Sequence, residues 1–396
     1  MGKSATEAIL VRVPATANEA SKLLESDKLI SGTDISHPNY MQVAGSLYMT
    51  ACNWGSGTFC QMMRVKSSDL SSSPQSVSGG QGLNYTRVHT NQYPIVIHND
   101  KVQNVIYFTS PTTYWSQLFR IDETKTYQSK VIAADVIESL VASGSNAFGV
   151  RAGSDTKDIH YLAAGSGTAG HYKLFRLKSN INSGSKLTTA QALTAINPGG
   201  SDGVAEATYD EDRGKLYFVG TRSSGSKLYR LTDETTGSAP IGPNDNLSDI
   251  VPGGDDKVAS VKSVAERDVV LFVAEPTATN KKLFMLRAAS TGNAVVQQVS
   301  NFVDGGNDNP VILLIDSTRD LVVVGINTSP TIRQLAVVPF AKLNADLDLG
   351  LYLIPAPDFP GGPDYISTAT DVSSLFVRMI DAENSKTLHR LKLPTQ

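Results

Sequence analysis

Cysteine, tryptophan and charge are all scarce in this sequence. Two cysteines and two tryptophans occur in 396 residues, and charged side chains make up 18%, against ~25% in an ordinary globular domain. Two cysteines cannot make a disulfide framework, and with no histidine near them in sequence they cannot make a zinc site alone. Positive charge is not concentrated either. The 35 Lys and Arg stand against 38 Asp and Glu, and the lack of a basic cluster argues against a surface that tracks nucleic-acid phosphates. No apolar run approaches ~18 residues, so no transmembrane helix is expected. The apolar part of MGKSATEAILVRV is too short for a signal peptide, which makes the cytoplasm the default compartment and a virion or the cell exterior the alternative. Helical periodicity is almost absent; ANEASKLLESDKLI, from Ala17 to Ile30, has room for one short helix.

What is present is a large apolar fraction, 40%, together with 32 glycines and many Ser, Thr and Asn. That is enough apolar surface for a core, in a chain with many turns. One doublet recurs: a short aromatic or aliphatic strand, a polar turn, then a strand reading roughly Leu-aromatic-Arg-aliphatic. The seven copies are SLYMTA/FCQMMRV, NVIYFTS/SQLFRI, IHYLAAG/YKLFRL, KLYFVGT/SKLYRL, VVLFVAE/KKLFML, LVVVGIN/RQLAVV and SLFVRMI/KTLHRL. Leu47, Ile106, His160, Leu216, Val270, Val322 and Leu375 mark corresponding points, spaced in the fifties.

A period of roughly 50–60 residues carrying about four strands is the pattern of a β-propeller blade. The small-residue segments VAEATYDEDRG, VASVKSVAERD and PVILLIDSTRD precede three of the doublets and predict an inner strand A. The doublet supplies strands B and C, and looser segments such as AVVQQVS and LGLYLIP predict an outer strand D. The last copy ends soon after strand C, which leaves AILVRVP (residues 8–14) to complete that blade from the other end of the chain. Such closure leaves no unpaired sheet edge. The turn before strand B and the LYRL-like strand C resemble those of seven-bladed propellers of the Tol, YVTN and prolyl-oligopeptidase types. The expected fold is thus all-β: one seven-bladed propeller domain over residues 1–396, with four-stranded blades across 34–396 and the 8–14 strand closing the last.

A second signal recurs just ahead of strand A. Repeats four to seven read GGSD, GGDD, GGND and GGPD, ending at Asp202, Asp256, Asp308 and Asp364. The matching points of the first three are Asp34, Asn91 and Asn146. Turn chemistry accounts for the pattern, because Gly takes positive φ and an Asx side chain accepts backbone N–H groups. The alternative is an acidic collar at a channel mouth that holds a cation or a basic ligand. One Asp per blade spreads the oxygens too widely for a dedicated Ca²⁺ site, so neither a metal nor a cofactor is expected.

Both tryptophans fall in B–C turns of consecutive repeats: Trp54 in CNWGSGTFC, and Trp115 beside Tyr114 in SPTTYWSQ. Aromatic tips of this kind anchor a sugar ring or a protein partner, unless they fold back over the blade edge. The aromatics inside strands, such as Tyr217, Phe119 and Phe175, read as packing between blades. Cys52 and Cys60 flank the Trp54 turn, where a cross-strand disulfide or two buried thiols would both fit. No G-x-S-x-G elbow, P-loop or H-E-x-x-H is found. Gly165 to Gly170 fits G-x-G-x-x-G, but it lies in a hairpin rather than between a strand and a helix. The six histidines are scattered and select no nucleophile or base. The sequence therefore predicts a non-catalytic recognition or scaffold protein that binds a protein or glycan on this loop face. A structural or adhesive virion protein and a propeller hydrolase or lyase are the alternatives.

Overall fold

The computed structural model describes the backbone of the strands named below. Side chains are described for residues 206–220, 225–231, 247–248, 250, 255–275, 280–287, 289–290, 296–299, 309–326, 334–343 and 352. The chain forms two compact units. The first comprises Met1–Arg12, Leu23–Val204 and Asp233–Ile241; the second comprises Val13–Lys22, Ala205–Thr232 and Gly242–Gln396.

The first unit holds β1 (Gly2–Lys3), β2 (Ala8–Val11), β3 (Lys28–Gly32), β4 (Asp34–Met41), β5 (Ser46–Cys52), β6 (Cys60–Lys66) and β7 (Gln75–Ser76). It continues with β8 (Ile95–Asp100), β9 (Val105–Pro111), β10 (Ser116–Ile121), β11 (Val136–Ser139), β12 (Phe148–Ser154), β13 (Ile159–Gly165) and β14 (Tyr172–Lys178). The second holds β15 (Val204–Asp210), β16 (Lys215–Arg222), β17 (Gly225–Thr232), β18 (Ser260–Val264), β19 (Val269–Thr277), β20 (Asn280–Arg287) and β21 (Val295–Gln298). It ends with β22 (Pro310–Asp316), β23 (Leu321–Ser329), β24 (Ile332–Pro339), β25 (Gly362–Thr368), β26 (Ser374–Ile380) and β27 (Lys386–Lys392). Every sheet among the described residues is a meander of consecutive strands: β1–β3, β4–β7, β8–β11, β12–β14, β15–β17, β18–β21, β22–β24 and β25–β27.

Each sequence doublet is an antiparallel hairpin, and the marker residues share one register. Leu47 faces Val65, Leu216 faces Leu231, Val270 faces Leu286 and Leu375 faces Leu391. The expected outer strand of the fifth repeat is β21, paired along β20. LGLYLIP lies outside the described residues except for Tyr352. Gly165 pairs with Tyr172 across a hairpin, so the G-x-G-x-x-G match opens no helix.

Within the first unit, Ala8–Val11 pairs with Lys28–Gly32 along one edge, and its Ala8 and Ile9 pair with Lys3 and Gly2 on the other. A hairpin partner close in sequence costs less loop-closure entropy than one at the far end of the chain. The same pairing makes Lys28–Ile30 strand, where the sequence left room for a helix.

In the second unit the central strands β19 and β20 are apolar on both faces, because sheets pack on either side of them. Tyr217, Val219 and Leu228 meet Val261, Val270, Phe272 and Phe284 of the next sheet. The other face of that sheet offers Leu271, Val273, Leu283 and Met285 to Ile312, Val322, Val324 and Val338. Alternate residues of β19 thus enter two different cores, the period-2 consequence of a sheet buried on both sides. Phe272 stacks on Phe284 at 5.5 Å between ring centroids, and Phe218 on Tyr229 at 5.6 Å. Strand A is more polar. Lys262 donates to Glu206 at 2.8 Å, and the Ser263 amide donates to the Thr208 hydroxyl.

The A–B turns repeat one construction. The Asp210 carboxylate accepts the Arg213 amide at 3.0 Å, and Asp316 accepts that of Arg319 at 3.0 Å. The β18–β19 turn has a 3-10 turn in place of that aspartate, yet the residue before strand B is left-handed there as in the other two: Asp268 (φ 51) beside Gly214 (φ 60) and Asp320 (φ 57). Arg213 then reaches Asp268 of the next sheet at 3.5 Å, and Arg267 reaches Asp320 while lying over the Phe340 ring.

Gly225 opens β17 with φ 116, where a Cβ would fall inside the Asp255 carboxyl group. That carboxylate accepts the amides of Ser226 at 2.7 Å and Lys257 at 2.8 Å. Gly225→Ala should therefore strain the turn and displace Asp255 from both donors, a loss of about 2–3 kcal/mol. Urea unfolding checks this; an unchanged midpoint would show that Asp255 moves aside freely.

Candidate functional site

Of the seven Asp/Asn positions expected ahead of strand A, two fall within the strand itself, Asp34 in β4 and Asp364 in β25, and Asp256 is the one described with its side chain. It is fully buried. Its Oδ2 accepts the Lys227 ammonium at 3.2 Å and the Ser248 hydroxyl at 2.5 Å. Ser248 Oγ in turn accepts the Leu228 amide at 2.9 Å, and the Leu247 amide donates to the Leu228 carbonyl at 2.8 Å. The Asp256 carbonyl accepts the Glu275 amide at 2.9 Å, which fixes the loop to the strand-B end where the B–C turn begins. Asp256 thus gathers β17 and the 247–248 segment through its carboxylate and β19 through its backbone carbonyl.

Lys227 is also buried, 7% exposed, so the pair is a desolvated ion pair. Removing either partner would leave the other charge uncompensated in a place that water does not reach. A cation bound by Asp256 would first have to displace Lys227. The turn chemistry expected at this point is supplied by the preceding residue, Asp255, through the amides of Ser226 and Lys257. Sequence reasoning missed Lys227, Ser248 and Asp255. The available signal was a lysine directly ahead of Leu-Tyr-Arg-Leu, the strand-C pattern whose residues are buried on both faces.

Asp34 is the first residue of β4 and stands opposite Cys52, which stands opposite Cys60. Facing residues of antiparallel strands have Cα atoms ~4.5–5.5 Å apart, within disulfide range. Asp34 therefore shares its end of the sheet with the hairpin turn that carries Trp54. Asp364 lies in β25 beside a register shift between Pro363 and Tyr365. Asn91, Asn146, Asp202 and Asp308 lie outside the described residues, as do Trp54, Tyr114 and Trp115. The strands on either side of the aromatics are described: Cys52 faces Cys60 around the Trp54 turn, and Pro111 faces Ser116 around the Tyr114–Trp115 turn.

Tyr217, expected to pack between blades, is fully buried. Its hydroxyl meets no hydrogen-bond partner among the described residues. Burial above all, and then the charges of Asp210 and Asp268, raise its pKa well beyond the ordinary phenol range, against the opposing pull of Arg230 and Arg213. It is a neutral core residue.

No protein-family model and no curated protein matches the chain. Solved structures do. Prolyl oligopeptidase B from Galerina marginata superposes with a TM-score of 0.58 at 11% identity, over 92% of this chain and 49% of that one. A structure from a study of two prolyl endopeptidases gives a TM-score of 0.56 at 10% identity, over 90% and 48%. TolB from Acinetobacter baumannii matches more loosely, with a TM-score of 0.37 at 12% identity over 84% and 60%. The chain spans about half the length of the prolyl oligopeptidases it matches. At such identity the likeness carries the fold alone: an all-β, propeller-type protein built of antiparallel sheets.

Proposed function

We propose that this chain is a single seven-bladed β-propeller acting as a non-catalytic recognition or scaffold protein. Its contact surface is the loop end that bears Trp54, Tyr114 and Trp115, and its partner is a protein or a glycan. One observation carries this reading. Both tryptophans of the chain fall in the turns of equivalent hairpins, β5–β6 and β9–β10, in consecutive repeats. Large aromatic side chains in turns contribute little to strand packing and much to a contact surface. Asp34 faces Cys52, at the end of its sheet from which the Trp54 turn leaves, which supports a contact surface at that end.

A second reading, a propeller hydrolase, draws on the likeness to prolyl oligopeptidases. It has no nucleophile elbow in this sequence to build on.

The test is a glycan array, with Trp54→Ala and Trp115→Ala compared against the parent chain. Each change should leave Tm within a few degrees and weaken attachment by roughly 30-fold, the size of a ~2 kcal/mol hot spot. Lost stability with intact attachment would mean that the indoles pack on their own blades. Turnover of a fluorogenic proline-containing peptide would favour the hydrolase instead.

A further inference from the structure

The Lys227–Asp256 pair joins two consecutive repeats, and the register shows where its counterparts fall. Lys227 stands four positions before Leu231, the residue facing the marker Leu216. The same point in the other repeats that precede a further one is Gln61, Gln117, Lys173, Lys282 and Gln334, read from the residues facing Leu47, Ile106, His160, Val270 and Val322. The Asp/Asn positions of the repeats that follow are, in order, Asn91, Asn146, Asp202, Asp308 and Asp364. All three lysines, Lys227 included, precede an Asp. Two of the three glutamines precede an Asn.

We propose that these Asp and Asn residues are interblade latches, each accepting a hydrogen bond from the strand-C Lys or Gln of the preceding repeat. The chemistry requires such matching. A buried ammonium needs a carboxylate, whereas an amide is satisfied by another amide. Three further observations agree. Lys282 is as buried as Lys227, at 2% exposed. The residue facing the strand-C position is small in five of the six cases, namely Ala51, Ser110, Ala164, Gly220 and Ala274, which leaves room for the long stem. Gln334, the one glutamine followed by Asp, keeps a buried Oε1 with no partner among the described residues. That is what remains when only its N–H group is used, on a carboxylate that cannot donate back. The inference replaces the acidic-collar reading with a structural role, and it does not depend on what the aromatic turns bind.

The test is a double-mutant cycle on the full chain, read by thermal and urea unfolding. Asp308→Asn should lower Tm by roughly 5 °C, since it removes the charge that compensates Lys282. Lys282→Gln combined with Asp308→Asn should regain more than half of that loss. A Tm within ~2 °C of the parent for Asp308→Asn, or a double variant no more stable than Asp308→Asn, would overturn the proposal. If Asp308→Asn fails to fold, folding of the double variant supports the latch and its failure overturns it. A second cycle inserts a charge. Gln117→Lys should destabilise, and adding Asn146→Asp should restore stability; no recovery would overturn the rule for the first repeats.

Discussion

Asp256→Asn should destabilise the protein by about 3–5 kcal/mol, the cost of leaving one member of a buried ion pair without its partner. A turn-forming aspartate would cost nearer ~1 kcal/mol, the value of one local side-chain-to-backbone hydrogen bond. The difference in size separates the two roles. Lys227 and Asp256 are 7% and 0% exposed, so an uncompensated ammonium has no water to turn to. The Ser248 hydroxyl also loses its charged acceptor, and Ser248 holds the Leu228 amide. Urea unfolding followed by far-UV circular dichroism measures the change. A loss below ~1 kcal/mol would return Asp256 to the class of turn formers.

Phe272→Ala should cost about 3–5 kcal/mol as well, for a different reason. Phe272 is fully buried, stacks on Phe284, and lies in the core shared by β16 and β17 on one side and β18–β20 on the other. Truncation would leave a cavity between two sheets whose backbones are fixed by hydrogen-bonded ladders and cannot close in. Phe272→Leu keeps most of the volume and should lose less than half as much. Near-equal losses for the two variants, or a loss under ~1 kcal/mol for Phe272→Ala, would show that this core is not packed as described.

The hairpins were legible in the sequence because strand period and turn residues are local properties. Leu216 and Leu231 mark a doublet in the sequence and face each other in the sheet. The A–B turns were equally legible, since Gly214, Asp268 and Asp320 occupy left-handed positions that favour Gly, Asp and Asn. Non-local choices were not. The pairing of Ala8–Val11 with Lys28–Gly32 is a match that no local pattern announces, and loop-closure entropy favours such a near partner. Asp255 and Asp256 are adjacent and identical, yet one caps a turn and the other is buried on a lysine. Which does which depends on where the chain turns relative to the preceding sheet, and no single position encodes that. The Lys-with-Asp and Gln-with-Asn matching becomes visible only once the register aligns the repeats.

The most direct test of the account is an experimental structure of the full chain at side-chain resolution. In it Asp202, Asp256, Asp308 and Asp364 should be buried against Lys173, Lys227, Lys282 and Gln334 respectively, with the indoles of Trp54 and Trp115 exposed at the hairpin turns. Carboxylates facing solvent or a bound ion, with both indoles packed against strands of their own sheets, would contradict it.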